Sequence, residues 1–239
     1  MEKRRKRRSV EDIEQSILNA ATQLIQKNGF NNLTVVGIIQ KAQIEPIQFY
    51  RRYKDLNSFI DEYVKKYDYW FNDVIKSQKQ CNSDNDFYKN ILIGLFRSLL
   101  KNKEMQELLK WELSTNNETS QRTAQLRELH TLPLCNKYAA LFSKSNIDIV
   151  ATSAIIVGGI YYLILHNDLS TFSGIDLNKE SDVERIIKSI NDISNTLFTS
   201  SSVLQQNEIE TIKRMKNDNI EIEKIAYYMG VSQEIIENI

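Results

Sequence analysis

Apolar residues recur every three or four positions along almost the whole chain, separated by short polar runs. That period predicts helices rather than strands. Two prolines and seven glycines in 239 residues leave little punctuation for sheet. The first helix is expected over 10–28, with Ile13, Ile17, Ala20, Ala21, Leu24 and Ile25 on one face. Ser9 can cap it, Glu11 and Asp12 suit its positive first turn, and Gly29 ends it. Phe30 and Leu33 then close a small domain.

The next segment is the most informative. Thr34 can cap a second helix carrying Val35, Ile38, Ile39 and Ala42, and Gln43 and Ile44 make a tight turn. Pro46 suits the first position of a third, short helix, because its missing N–H would be unsatisfied there, and it pushes Glu45 into extended backbone. At 3.6 residues per turn Phe49 and Tyr53 share one face, which must point inward. Ile47 and Arg51 point the opposite way, flanked by Gln48 and Tyr50. Asp55 caps a fourth helix, expected to run unbroken through Tyr63, Tyr67 and Trp70 to about Lys76.

Beyond a polar loop at 81–86, helices are expected over 87–100, 104–113, 118–142, 148–167 and 181–198, with Pro133 kinking the third of these. Positions 149–165 form a charge-free run of seventeen residues, the lower limit for spanning a bilayer. Thr152, Ser153 and two tyrosines lie within it, and Asp148 and Asp168 rather than basic anchors flank it. A helix buried on all sides is therefore the preferred reading, and no membrane association is expected. A polar linker at 199–202 leads to a further helix and a second helix-turn-helix pattern through Ile222, Ile225, Ala226, Gly230, Val231, Ser232 and Ile236. Its would-be reading helix carries Glu234 and Glu237 and no basic residue, so phosphates would repel it. A packing or partner-binding tail is the expectation.

Charge sharpens the picture. The chain is neutral overall, yet residues 1–54 hold eleven Lys or Arg against five Asp or Glu. Lys3, Arg4, Arg5, Lys6, Arg7 and Arg8 form an uninterrupted basic arm with no apolar segment behind it, so a secretory signal is not expected and a cytoplasmic location is. A basic arm followed by two short helices across a tight turn points to double-stranded DNA. On a duplex Arg51 can meet a guanine edge, Gln48 an adenine and Ile47 a thymine methyl, while Thr34, Tyr50, Arg52 and Lys54 suit the backbone. Cys81, Cys135, His130 and His166 have no metal-ligand spacing, and no phosphate-cradling loop or nucleophile elbow is present. Neither a catalytic residue nor a cofactor is expected.

The helix over 10–28, the break at Asn28-Gly29-Phe30, the helix capped at Thr34 and the run Phe49-Tyr50-Arg51-Arg52-Tyr53-Lys54 together resemble the N-terminal domain of the TetR/AcrR family of bacterial transcriptional repressors. The resemblance covers roughly the first quarter of the chain and rests on spacing. It departs at Gln43, where glycine is usual, at Ile39, where a small residue is usual, and at Leu56, where the family has a lysine. Leucine cannot neutralise a phosphate as that lysine would, and each phosphate left without its cation flattens the salt dependence by about 0.9 log units.

The resemblance implies an all-α protein in three parts: a helix-turn-helix domain with its basic arm over 1–54, a helical regulatory and dimerisation domain over 55–198, and a linker with a helical tail over 199–239. It implies an inducer pocket for an apolar or aromatic small molecule, with Tyr67, Trp70, Phe96, Trp111, His130 and Tyr138 as candidate walls and Glu112 as a polar neighbour. It also implies a homodimer, paired through the last two regulatory helices, with Ile155, Gly159, Tyr162, Ile186, Ile190 and Ile193 as candidate contacts. A two-fold pair fits the chemistry, since one short helix reads few base pairs and a near-palindromic operator presents half-sites about 34–36 Å apart. The competing expectation is an interaction protein of the same fold that has lost sequence-specific reading.

Overall fold

The structure, a computed structural model, describes residues 8–78, 81, 83–201 and 206–239. Lys3 to Arg7 of the basic arm lie outside the described residues. Three helices come first: α1 (Val10–Asn28), α2 (Val35–Ala42) and α3 (Pro46–Tyr50). Each start has a chemical cause. Ser9 Oγ accepts from the Asp12 N–H at 3.0 Å while Asp12 Oδ2 accepts from the Ser9 N–H at 2.9 Å, closing a capping box on α1. Thr34 Oγ1 accepts from the Gly37 N–H at 3.0 Å, and Pro46 occupies the first turn of α3. Gly29 ends α1 with φ 74°, and a Cβ there would stand 3.0 Å from Glu107 Oε2, so both backbone angle and space call for glycine.

The larger part follows as α4 (Leu56–Val64), α5 (Trp70–Ser77), α6 (Asp84–Lys101), α7 (Lys103–Ser114), α8 (Glu118–Leu141), α9 (Ile149–His166) and α10 (Glu180–Ser201). One continuous core joins it to the first three helices. Phe49 packs on Phe59 at 5.7 Å, Phe59 on Tyr63 at 5.6 Å, Tyr63 on Phe30 at 6.1 Å, and Phe30 on Trp111 at 5.5 Å. This aromatic chain carries contact from the third helix to α7 without a gap.

Three expectations need correction. The fourth helix does not run unbroken to Lys76: it ends at Val64, passes through a 3-10 turn at Lys65–Tyr67 and restarts at Trp70. Tyr63, Lys66 and Tyr67, spaced i, i+3 and i+4 along one face, all reach the Glu104 carboxylate beside this break. The sixth helix starts at Asp84, three residues before the expected position, because Ser83 Oγ caps it by accepting from the Asp86 N–H. Residues 199–201 belong to α10 rather than to a linker; Ser202 lies outside the described residues. Hydroxyls nearby stay helical by bonding back one turn, Ser194 to Ile190 and Thr196 to Asp192.

Helix α9 has the length and composition to cross a membrane; in the single chain Ile149, Ile160 and Ile164 face the core, whereas Ile155, one of the candidate pairing contacts, is 77% exposed. The helix packs on α6, α7 and α8.

The C-terminal residues form α11 (Gln206–Asn217), α12 (Ile222–Met229) and α13 (Gln233–Glu237), with Gly230 in the left-handed turn between the last two. Ile212, Ile225, Ala226 and Ile236 make a core of their own, separate from the main one.

Candidate nucleic-acid interface and ligand cavity

The third helix is held by its apolar face. Phe49 is fully buried and Tyr53 nearly so, and the hydrogen-bonded turns continue past Tyr50 through Arg51 N to Ile47 O and Tyr53 N to Phe49 O. Burial of that face leaves Ile47 60% exposed, an unusual place for an isoleucine, with Tyr50 and Arg51 exposed beside it. Lys54 and Thr34 are exposed as well. A groove of about 920 Å³ runs between the start of α1 and α3, lined by Arg8, Ser9, Val10, Gln43, Gln48, Arg51 and Arg52 among others.

Four of the residues expected on DNA have partners inside the protein. Gln48 Oε1 accepts from the Glu45 N–H at 2.8 Å, so its carbonyl closes the start of α3 and only its amide N–H groups stay free for a base. Arg52 donates from Nη1 to Gln48 O at 3.0 Å and from Nη2 to Val10 O at 2.8 Å, tying the end of α3 to the start of α1. Arg8 Nη1 donates to Ala42 O at 3.1 Å and Gln43 O at 3.2 Å. Thr34 caps α2 as expected, which engages one face of its hydroxyl. Gln43 adopts φ 54° and ψ 52°, the left-handed backbone that the absent glycine would have taken without strain.

A second concavity of about 220 Å³ lies among α5, α6, α8 and α9, with Phe71, Leu92, Leu95, Leu134 and Val157 for apolar walls. Tyr88 Oη and Ser153 Oγ, 2.8 Å apart, and Glu128 supply its polar groups. Burial pushes the Tyr88 phenol up from its ordinary pKa, so it stays protonated and able to donate. Of the six residues expected to line a pocket, Tyr138 alone is among these walls. Tyr67 donates instead to Glu104, and Trp70 Nε1 donates to Ser98 Oγ at 3.0 Å. Phe96 and Trp111 belong to the close-packed core, and His130 stacks on Tyr69 at 5.2 Å. Glu112 forms a buried ion pair with Arg127 and accepts from Thr123. The six candidates lie on the 3-10 turn, α5, α6, α7 and α8, whereas the walls of the concavity come from α5, α6, α8 and α9, with Phe71, Tyr88 and Leu95 outside the six.

On α9 and α10, Ile155, Gly159, Tyr162 and Ile193 are exposed and Ile186 is half-buried. Ile190 faces its own core at 4% exposure and offers almost nothing to a partner. Among the described residues, no three His, Cys, Asp or Glu side chains converge to hold a metal ion.

No family model and no curated protein sequence matches the chain. Solved structures do. The fatty acid degradation regulator FadR from Bacillus halodurans is 15% identical with a TM-score of 0.57, over 76% of this chain and 97% of that one. FadR from Bacillus subtilis, solved in complex with stearoyl-CoA, is 14% identical with a TM-score of 0.58 over the same shares. A TetR family transcription regulator from Marinobacter aquaeolei is 16% identical with a TM-score of 0.55, over 76% of this chain and 95% of that one. The fold of this chain is that of the TetR-family transcriptional regulators.

Proposed function

We propose that this protein is a cytoplasmic, homodimeric transcriptional regulator that binds near-palindromic DNA through two copies of α3 and is released by an apolar small molecule. The observation that carries the reading is the orientation of α3: its aromatic face is locked inward, so Ile47 and Arg51 project from the surface toward any duplex laid against it. Arg51 suits a guanine edge and Ile47 a thymine methyl. Tyr50 and Lys54 flank them as phosphate contacts, with the basic arm adding sequence-indifferent affinity.

The pairing surface is the exposed face of α9, extended by Ile193 of α10. Its apolar residues suit a second copy of the chain better than water, and a two-fold pair formed there would carry one reading helix on either side of its axis. Fatty acid regulators among the similar structures make a fatty acyl chain the first ligand to try, and the apolar walls of the 220 Å³ cavity would accept a hydrocarbon segment. A ligand that fits only one spacing of the α3 pair shifts the population away from the DNA-binding form, by no more than its differential affinity. Repression relieved by ligand follows as the simplest mode.

Selection of bound fragments from the source genome tests this. Enrichment of one near-palindrome supports the regulator. Retention that is salt-sensitive but indifferent to sequence would instead favour an interaction protein of the same fold.

A further inference from the structure

The turn between α2 and α3 is the weak point of the reading head. Gln43 sits in the left-handed region at φ 54°, where a Cβ crowds the backbone, and it sits there at the only connection between the two helices. Backbone of this kind persists only where surrounding contacts over-determine it. The carbonyls of Ala42 and Gln43 close this turn, and as the last carbonyls of α2 they carry its negative end and have no partner along the helix. Arg8 meets both of them. Its Nη1 donates to Ala42 O at 3.1 Å and to Gln43 O at 3.2 Å, 34 and 35 positions along the sequence.

We propose that Arg8, the last residue of the basic arm, is a positioning residue for the reading helix: its guanidinium clamps the carbonyls of a turn that lacks glycine, holding α3 at the angle DNA binding requires. The clamp replaces what glycine would supply through its own backbone freedom. Arg8 is thereby separated in role from the charges before it in the arm, and its removal should act through the fraction of molecules with a correctly set turn rather than through the phosphates. The DNA part of this proposal rests on the function proposed above; the turn part does not.

The test uses the full chain as wild type, Arg8→Ala, Gln43→Gly and the double variant. Without DNA, amide hydrogen exchange is read at Ile44, whose N–H donates to Ile39 O at 3.2 Å across the turn. Arg8→Ala should speed exchange there about tenfold, and Gln43→Gly should restore most of the protection in the double variant. With a duplex carrying the palindrome enriched from the genome, Arg8→Ala should weaken binding several-fold with an unchanged salt slope, and the double variant should bind close to wild type. Unchanged exchange at Ile44 in Arg8→Ala overturns the proposal. So does a salt slope that falls by about 0.9 for each Arg8 removed, with no rescue by glycine, because Arg8 would then be a phosphate ligand. If no palindrome is enriched, the DNA-reading function fails while the exchange result still decides the role of Arg8.

Discussion

Tyr63 Oη donates to Glu104 Oε2 at 2.6 Å, joining α4 to α7 at the seam between the reading head and the regulatory helices. Lys66 Nζ reaches the same oxygen at 2.8 Å, Tyr67 donates to it as well, and Gln26 of α1 donates to Oε1 at 3.3 Å. Thr22 Oγ1, also on α1, lies 2.7 Å from Tyr63 Oη. One carboxylate thus gathers groups from α1, from α4 and from the 3-10 turn after it. Burial alone would raise the Glu104 pKa; the hydrogen bonds from Lys66, Tyr63 and Tyr67 outweigh it and hold the group below its ordinary value. Burial, and after it the Glu104 carboxylate, push both phenols well up, so they remain donors.

Glu104→Gln should therefore cost about 1.5–3 kcal/mol at neutral pH, the range for hydrogen bonds to a charged group. The sign of the pH dependence follows from the lowered pKa in the folded state. The contribution is complete above the ordinary value of 4.5 and is lost as pH falls through the lower folded value. Urea unfolding of both proteins from pH 7 to pH 3 should show the stability gap closing below about pH 4.5. A gap that stays constant to pH 3 would remove Glu104 from this role.

The exposed side of α9 gives a second prediction. A Cβ built on Gly158 or Gly159 would meet nothing within 4 Å, so nothing in the single chain requires glycine at either place. In the proposed dimer, a helix from a second copy would approach closely there. Ile155→Glu should leave each subunit folded and weaken the dimer by at least about a hundredfold, since a carboxylate would be buried without a partner. Sedimentation velocity at micromolar concentration distinguishes the species; a wild type that sediments as a monomer would contradict the pairing.

The tail offers a third. Its core of Ile212, Ile225, Ala226 and Ile236 is distinct from the main core, so its unfolding should be local. Ile225→Asn should abolish hydrogen-exchange protection over 206–239 while leaving α1 to α9 as protected as in the wild type. Loss of protection throughout would show that the tail supports the body of the protein.

Much of this architecture was legible because local chemistry specified it. Ser9, Thr34, Pro46, Asp55 and Gly29 each act on their own neighbours within four residues, and the helix boundaries they mark agree with the structure. The division of α3 into a buried Phe49–Tyr53 face and an exposed Ile47 likewise follows from periodicity alone. What escaped depends on distance. Glu104 gathers partners from 37 to 78 positions earlier, and no spacing rule connects them. Arg8 and Arg52 read as phosphate ligands because charge is visible in a sequence, whereas the carbonyls of Ala42, Gln43 and Val10 that receive them are not. For α9, uniform apolarity indicated burial without saying that the covering surface need not come from the same chain.

The most direct test of the account compares wild type with Ile47→Ala/Arg51→Ala on the enriched palindrome and on a scrambled duplex at one fixed salt concentration. The wild type should prefer the palindrome by about a thousandfold or more, and the variant should lose most of that ratio, at about 1–3 kcal/mol for each base contact, while binding the scrambled duplex much as before. Equal preference in both proteins would mean that α3 does not read the bases.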